Sequence, residues 1–477
     1  MAFDYVAAPG THVAIQANGS RLDSRLPGSL NQSQFDADPD GAAPAAATSG
    51  FGRGDNRYRA GARLEQAVGN GIASGYFFYG GRSLDFPITA QIVDLNLHRV
   101  QGGARLRADR VARSPLDATI GFDYDNIFGT DHRWVNEGGA RGSLLDDGYF
   151  SVPNLGAYSQ IEWRGAGEFG VTLGMRYDRV TYRFESYLSG GIPEREKVFD
   201  HLSPRLSAVW SPDLATSLYP SAGRSVEVPA IGELSSGPSG QLSPSLRPKS
   251  LWNYELGARR IVGDRALLNG SVFYADVRGE FVPRTVNNMS RPENASRSRN
   301  IGVELGVTAR ATRHVELVAS YSFLDLRLLD YTSAVLDATD TLRVVDFGGK
   351  ILPAVPRHRL TGEVRISPLP ALDLGVQIEW QSVVYVESGN ADAGIWYFRP
   401  RPGAPVQQVP FRSVASRALV HLNAAWRRGP ATLFGSVENL FRLRYAGNVV
   451  PNEACGRFYE AGSPASVSVG LRLTATP

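Results

Sequence analysis

Few residues of this chain stand at spacings that chemistry requires. Asp36-Ala-Asp-Pro-Asp40-Gly41 echoes a calcium loop, but such a loop closes on a bidentate Glu at its twelfth position. Here that position is Ala47 and Pro39 intrudes, so a solvated acidic loop is expected. Arg53-Gly-Asp55 spells an adhesion tripeptide, yet so short a match recurs by chance. The seven histidines (12, 98, 132, 201, 314, 358 and 421) are scattered. His358 and His421 are expected at a wet interior face or a strand end rather than on a metal. No phosphate-binding glycine loop, paired-His helix or nucleophile elbow is present. The reading is therefore no catalytic residue, no metal site and no cofactor. One cysteine, Cys455, excludes a disulfide framework and a cysteine-based zinc cluster. A formal charge of +3 over 477 residues gives no basic face for nucleic acid.

The elements that would position any site are β-strands. From Glu168 to Asp178, Phe169, Val171, Leu173, Met175 and Tyr177 alternate with Gly170, Thr172, Gly174 and Arg176. Strand side chains alternate faces, so one face is greasy and the other charged or small. Leu372, Leu374, Val376, Ile378 and Trp380 repeat the pattern against Asp373, Gly375, Gln377 and Glu379. No helical period of comparable strength occurs. The alternation predicts an all-β chain of about eighteen strands, at 11–21, 56–68, 71–82, 91–109, 116–126, 148–164, 167–184, 200–211 and 214–225. The others are 249–261, 265–278, 296–310, 313–325, 355–367, 371–385, 411–427, 431–441 and 464–474.

Connections carry a rhythm. Tight turns such as Gly69-Asn70, Gly263-Asp264 and Arg428-Gly-Pro430 alternate with long spans such as 22–55, 127–147, 326–354, 386–410 and 442–463. Outer-membrane barrels have this asymmetry, with short turns on one side and long loops on the other. Many strands also exceed the roughly 9–11 residues that a tilted bilayer crossing needs. Only a closed sheet satisfies every backbone group in hydrocarbon. The fold class expected is an antiparallel transmembrane β-barrel in contact with outer-membrane lipid. Trp163, Trp210, Trp252, Trp380 and Trp426 fall near strand ends, where interfacial aromatics gather.

Several blocks then resemble a known family. Phe199-Asp-His-Leu-Ser-Pro-Arg-Leu206, Gly223-Arg-Ser-Val-Glu-Val-Pro229, Leu246-Arg-Pro-Lys249 and Asn253-Tyr-Glu-Leu-Gly257 stand in order. Asn294-Ala-Ser-Arg-Ser-Arg299, Leu352-Pro-Ala-Val-Pro-Arg-His358 and Glu438-Asn-Leu-Phe441 continue the series, and Tyr79-Gly-Gly-Arg82 precedes it. Over roughly residues 50–477 the chain resembles the barrel of TonB-dependent outer-membrane receptors, which import ferric siderophores and similar chelates. The resemblance implies location in the bacterial outer membrane and two partners, a ferric siderophore or other metal chelate and the TonB system acting through a plug domain.

There are departures from the family pattern. Met1-Ala-Phe-Asp-Tyr5 has no charged-then-apolar leader, and neither signal peptide nor plug has room before residue 10. Residues 1–477 are thus expected to be a partial barrel, about eighteen strands of the family's 22. Pro220 interrupts a strand pattern, and a proline cannot donate to a ladder. The C-terminal Leu471-Arg-Leu-Thr-Ala-Thr-Pro477 lacks the family's terminal aromatic.

For an anionic, partly aromatic chelate, the resemblance implies arginine beside tryptophan or tyrosine on outer loops. Trp396, Tyr397, Arg399 and Arg401 are the leading candidates, followed by Arg133, Trp134 and Tyr331. The competing reading is that these rings pack loops together or sit at the headgroup level. Two other functions stay open on the residues alone, a passive porin-like barrel and a soluble all-β binding protein.

Overall fold

A computed structural model describes residues 2–165, 168–188, 195–234, 245–286, 289–400 and 403–474. Among them are twenty-five strands, nineteen in one main antiparallel sheet. The chain divides into two compact units, the first drawn mainly from residues before 253 and the second mainly from those after it.

In the first unit, β1 (Ala2–Ala8), β2 (Thr11–Arg25), β3 (Gly52–Val68) and β4 (Gly71–Pro87) pair in chain order. The ladder continues through β5 (Gln91–Ala108), β6 (Leu116–Glu137), β7 (Ala140–Arg164) and β8 (Phe169–Ser186). The long connection after β2 holds two short helices, α1 (Gln32–Ala37), which belongs to the second unit, and α2 (Pro44–Thr48), which belongs to the first. The main sheet also contains β9 (Arg195–Asp213), β10 (Thr216–Glu227) and β11 (Lys249–Val262), with α3 (Ile231–Leu234) between the last two.

In the second unit the ladder runs through β12 (Ala266–Val286), β13 (Met289–Thr312) and β14 (Val315–Asp330). A side hairpin, β15 (Thr332–Leu336) with β16 (Leu342–Asp346), precedes β17 (His358–Leu369) and β18 (Leu372–Gln381). A second, β19 (Ala393–Phe398) with β20 (Gln407–Arg412), precedes β21 (Arg417–Arg428) and β22 (Ala431–Glu438). A third, β23 (Ala446–Val449) with β24 (Tyr459–Ala461), precedes β25 (Ser466–Leu473).

Several expectations need correction. The main sheet has nineteen strands because β1 is a strand too. Its seven residues alternate only through Phe3, Asp4 and Tyr5 before Pro9-Gly10, too briefly to stand out. The span 127–147 is not a loop. β6 and β7 extend across it to a turn at Gly138-Gly139, whose φ of 66° and 94° suit glycine. Its Asp, His and Arg residues have the polarity of a loop, yet the β6–β7 ladder pairs them as strand. The spans 326–354, 386–410 and 442–463 each hold a hairpin. Pro220 lies within β10, which continues through it.

The two faces of the sheet separate by chemistry. On β18, Leu374, Val376 and Ile378 are 39%, 39% and 45% exposed, while Asp373 and Gln377 point the other way. On β8, Phe169, Leu173, Met175 and Tyr177 are exposed. Between them, Arg176 reaches Asp123 at 2.7 Å and Asp178 at 2.8 Å. Arg365 pairs with Glu363 at 2.7 Å and Arg427 with Asp373 at 2.7 Å, also opposite the apolar face. One face thus presents hydrocarbon and the other a lattice of ion pairs.

Aromatics mark the limits of the apolar face in each unit. In the first, Trp163 sits beside a short turn, while Tyr58, Tyr79, His98 and Phe128 form a row farther along the strands. In the second, Trp426 sits beside a short turn and Tyr321, Phe323, His358 and Trp380 form the distant row. His358 opens β17, a strand end as expected, and its Nδ1 lies 2.8 Å from the Tyr321 hydroxyl. An apolar band bounded by aromatics is the arrangement of membrane barrels.

Candidate functional site

The long connections of the second unit gather beyond its aromatic row. Each is shaped by local chemistry. The β15–β16 hairpin closes on Asp337, whose Oδ1 accepts from the Thr339 hydroxyl at 2.7 Å and the Thr339 and Thr341 amides at 2.8 and 3.1 Å. These bonds, the Thr339 hydroxyl first, pull the Asp337 carboxyl down to about 2. After β18 the chain turns through Glu387, whose carboxylate accepts from the Gly389 and Ala391 amides at 2.5 and 2.7 Å. Asn452, from the connection after β22, accepts from the Ser388 amide at 3.0 Å and donates to its hydroxyl at 2.9 Å. Two connections 64 residues apart are thereby pinned together.

Beneath them lies an apolar cluster. Val386, Phe411, Phe458 and Tyr459 are buried, and Phe458 meets Trp396 edge-on at 5.3 Å and Phe411 at 6.0 Å. The Tyr459 hydroxyl donates to the Arg412 carbonyl at 2.6 Å and accepts from the Arg412 amide at 2.9 Å. Burial pushes that phenol up to about 12.

A cavity of about 310 Å³ opens between these connections. Tyr331, Trp396, Tyr397 and Arg399 all line it, with Phe347, Ser388 and Asn452. Trp396 is half-buried, and among the described residues its buried Nε1 has no hydrogen-bond acceptor. A buried indole N–H ordinarily finds one. Arg399 is ion-paired to Asp340 at the hairpin tip. Tyr331 is only 5% exposed and stacks on Phe347 at 5.7 Å, so packing takes most of its surface.

The remaining candidates stand elsewhere. Arg133 and Trp134 lie on β6 in the first unit. Arg133 pairs with Asp131 at 3.2 Å, and Arg141 lies 6.0 Å from the Trp134 ring. Arg401 lies outside the described residues. Sequence reasoning missed Phe347, Ser388 and Asn452, which are ordinary loop residues until distant connections meet. Only the turn-forming Glu387-Ser-Gly-Asn390 offered a local signal.

The discarded motifs have structural roles. Asp36 pairs with Arg412 at 3.4 Å and Asp40 with Arg444 at 3.1 Å, fastening the acidic segment to later connections. Asp55 of the adhesion-like tripeptide is 3% exposed and clasped by Arg53, Arg57 and Arg82.

An antiparallel sheet with hydrocarbon on one face, ion pairs on the other, and long connections gathered beyond an aromatic row defines a transmembrane β-barrel of the outer-membrane type. Residues 6–440 match the family model described as "TonB dependent receptor-like, beta-barrel". The chain belongs to that family, and its place is the bacterial outer membrane. It is 27% identical over 235 residues to the probable TonB-dependent receptor BfrD of Bordetella pertussis (strain Tohama I), a match covering 48% of this chain and 29% of that protein. Among solved structures it is similar to the ferric citrate transporter FecA in unliganded form, with TM-score 0.77 and 16% identity, over 98% of this chain and 68% of that one. It is also similar to the siderophore receptor PiuA from Acinetobacter baumannii, with TM-score 0.73 and 13% identity, over 97% and 72% of the two chains. Family membership sets aside the soluble reading.

Proposed function

We propose that this chain forms the barrel of a receptor for ferric siderophores or similar metal chelates, and that the cavity among its long connections contacts the chelate. Its role is binding and passage, with no bond made or broken, so it is not an enzyme. The observation that carries the reading is that Trp396, Tyr397 and Arg399 line one cavity. That set offers a stacking face, a neutral donor and a cation, which an anionic aromatic chelate can use together. The size suits the reading, since pockets for small ligands begin at roughly 300 Å³. FecA is a ferric citrate transporter and PiuA a siderophore receptor, and related cargo here is part of the proposal. Energy is supplied through the TonB system acting on a plug domain.

The test is titration of the detergent-solubilised chain with a panel of catecholate, hydroxamate and citrate chelates, each with and without ferric iron, followed by tryptophan fluorescence. The expected result is saturable quenching by at least one ferric chelate and none by its iron-free form. Failure of every ferric chelate to bind overturns the proposal.

A further inference from the structure

In the second unit, the apolar face continues past its aromatic row into a cluster of arginines. Directly opposed residues of antiparallel strands share a face. Tyr274 opposes Ile301, Asp276 opposes Arg299, and Arg278 opposes Arg297 between β12 and β13. Ile301 opposes Asp325, and Arg299 opposes Arg327, between β13 and β14. These charges therefore prolong the face that carries Val272, Tyr274, Leu305, Tyr321 and Phe323. Arg357, just before β17, lies 5.4 Å from the Phe323 ring centre on the same side.

Two carboxylates organise five guanidiniums. Asp325 holds Arg327 at 2.9 Å, Arg357 at 3.0 Å and Arg299 at 3.3 Å. Asp276 holds Arg297 at 2.6 Å and Arg278 at 3.9 Å. Even with Asp330, which stands opposite Arg297, cations outnumber anions among the described residues of the cluster. In the first unit, Arg179 meets Asp200 at 3.5 Å and Arg183 meets Glu196 at 3.1 Å.

We propose that this arginine cluster holds the phosphorylated headgroup of a lipid in the leaflet on the long-connection side. The reasoning is positional and electrostatic. Interfacial aromatics mark where hydrocarbon gives way to headgroups, so a surplus of cations just beyond them lies at phosphate depth. Guanidinium forks match phosphate oxygens two at a time. The acyl chains lie along Leu305, Val272 and Leu360, which are exposed on the same face. Anchoring to Asp276 and Asp325 orders the forks before the lipid arrives.

The test uses the full chain in mixed micelles with diphosphoryl lipid A as the probe, and native mass spectrometry to read the lipid retained. Arg278→Gln with Arg297→Gln removes the two most exposed guanidiniums. Retention is expected to fall roughly fivefold or more, the scale of losing charge-assisted hydrogen bonds at a wet surface. Arg297→Lys, which keeps charge but loses the fork, falls less than Arg297→Gln, and Arg179→Gln on β8 leaves retention unchanged. Heat-dependent gel migration confirms that each variant is folded. Equal retention by the double variant and the parent overturns the proposal. So does equal retention of dephosphorylated lipid A, or displacement of the lipid by an equimolar amount of inorganic phosphate.

Discussion

Arg399, one residue past β19, is ion-paired to Asp340 at the tip of the β15–β16 hairpin, so two connections 59 residues apart meet at the cavity rim. The pair is partly exposed, with side-chain exposures of 31% and 50%, and such pairs contribute about 0.2–1 kcal/mol. Its effect is therefore on the order of the connections, while the barrel is little affected.

Asp340→Asn is expected to leave the unfolding midpoint of the barrel nearly unchanged while speeding amide exchange across Thr332–Asp346 severalfold. In a double-mutant cycle with Arg399→Gln, a coupling of about 0.5 kcal/mol is expected. Strict additivity argues against the pairing.

Trp396→Phe keeps a ring against Phe458 and deletes the indole N–H. Under the proposed function, affinity for the ferric chelate drops roughly tenfold, in line with about 1–1.5 kcal/mol for one hydrogen bond. Thermal stability stays close to the parent. Unchanged affinity in isothermal titration removes Trp396 from the contact set.

Acid is expected to act on the β15–β16 hairpin in a defined window. The folded Asp337 carboxyl sits at about 2 against its ordinary 3.8. A depressed carboxyl contributes stability that is present above the unfolded value and lost as pH falls through the folded one. Exchange in this hairpin should therefore rise between about pH 4 and pH 2 and stay flat from pH 5 to 8. Asp337→Asn should flatten the low-pH rise. A hairpin that loosens near neutrality contradicts this account.

Tyr459→Phe deletes a buried hydroxyl that both donates to and accepts from the Arg412 backbone. Stranding those backbone groups costs about 1–3 kcal/mol. The loss should appear as lower protection in Gln407–Arg412, read by hydrogen exchange, while β12–β14 remain protected.

Much of the fold was legible because membrane strands are long and obey a strict two-residue period. β8 and β18 declare both faces in their own residues, and their short turns declare themselves by glycine and proline. β1 escaped because its alternation is too brief, and the β6–β7 tip because two polar strands beyond the bilayer look like a loop. The three side hairpins escaped for another reason: their short strands are held by packing on distant connections. The cavity follows the same division. Trp396, Tyr397 and Arg399 are adjacent in sequence and conspicuous, whereas Ser388 and Asn452 acquire meaning only when Asn452 bridges to Ser388. The arginine patch was hidden because Arg297, Arg299 and Arg327 join one face only through strand register.

Both proposals presuppose that Leu374, Val376 and Ile378 face lipid while Asp373, Gln377 and Glu379 face water. The direct measurement places a single environment-sensitive fluorophore, through cysteine, at each position from 373 to 379 in a Cys455→Ser background and reads quenching by brominated lipid in vesicles. The account predicts a two-residue oscillation, strong at 374, 376 and 378 and weak at 373, 377 and 379. Uniform quenching, or an oscillation of the opposite phase, contradicts it.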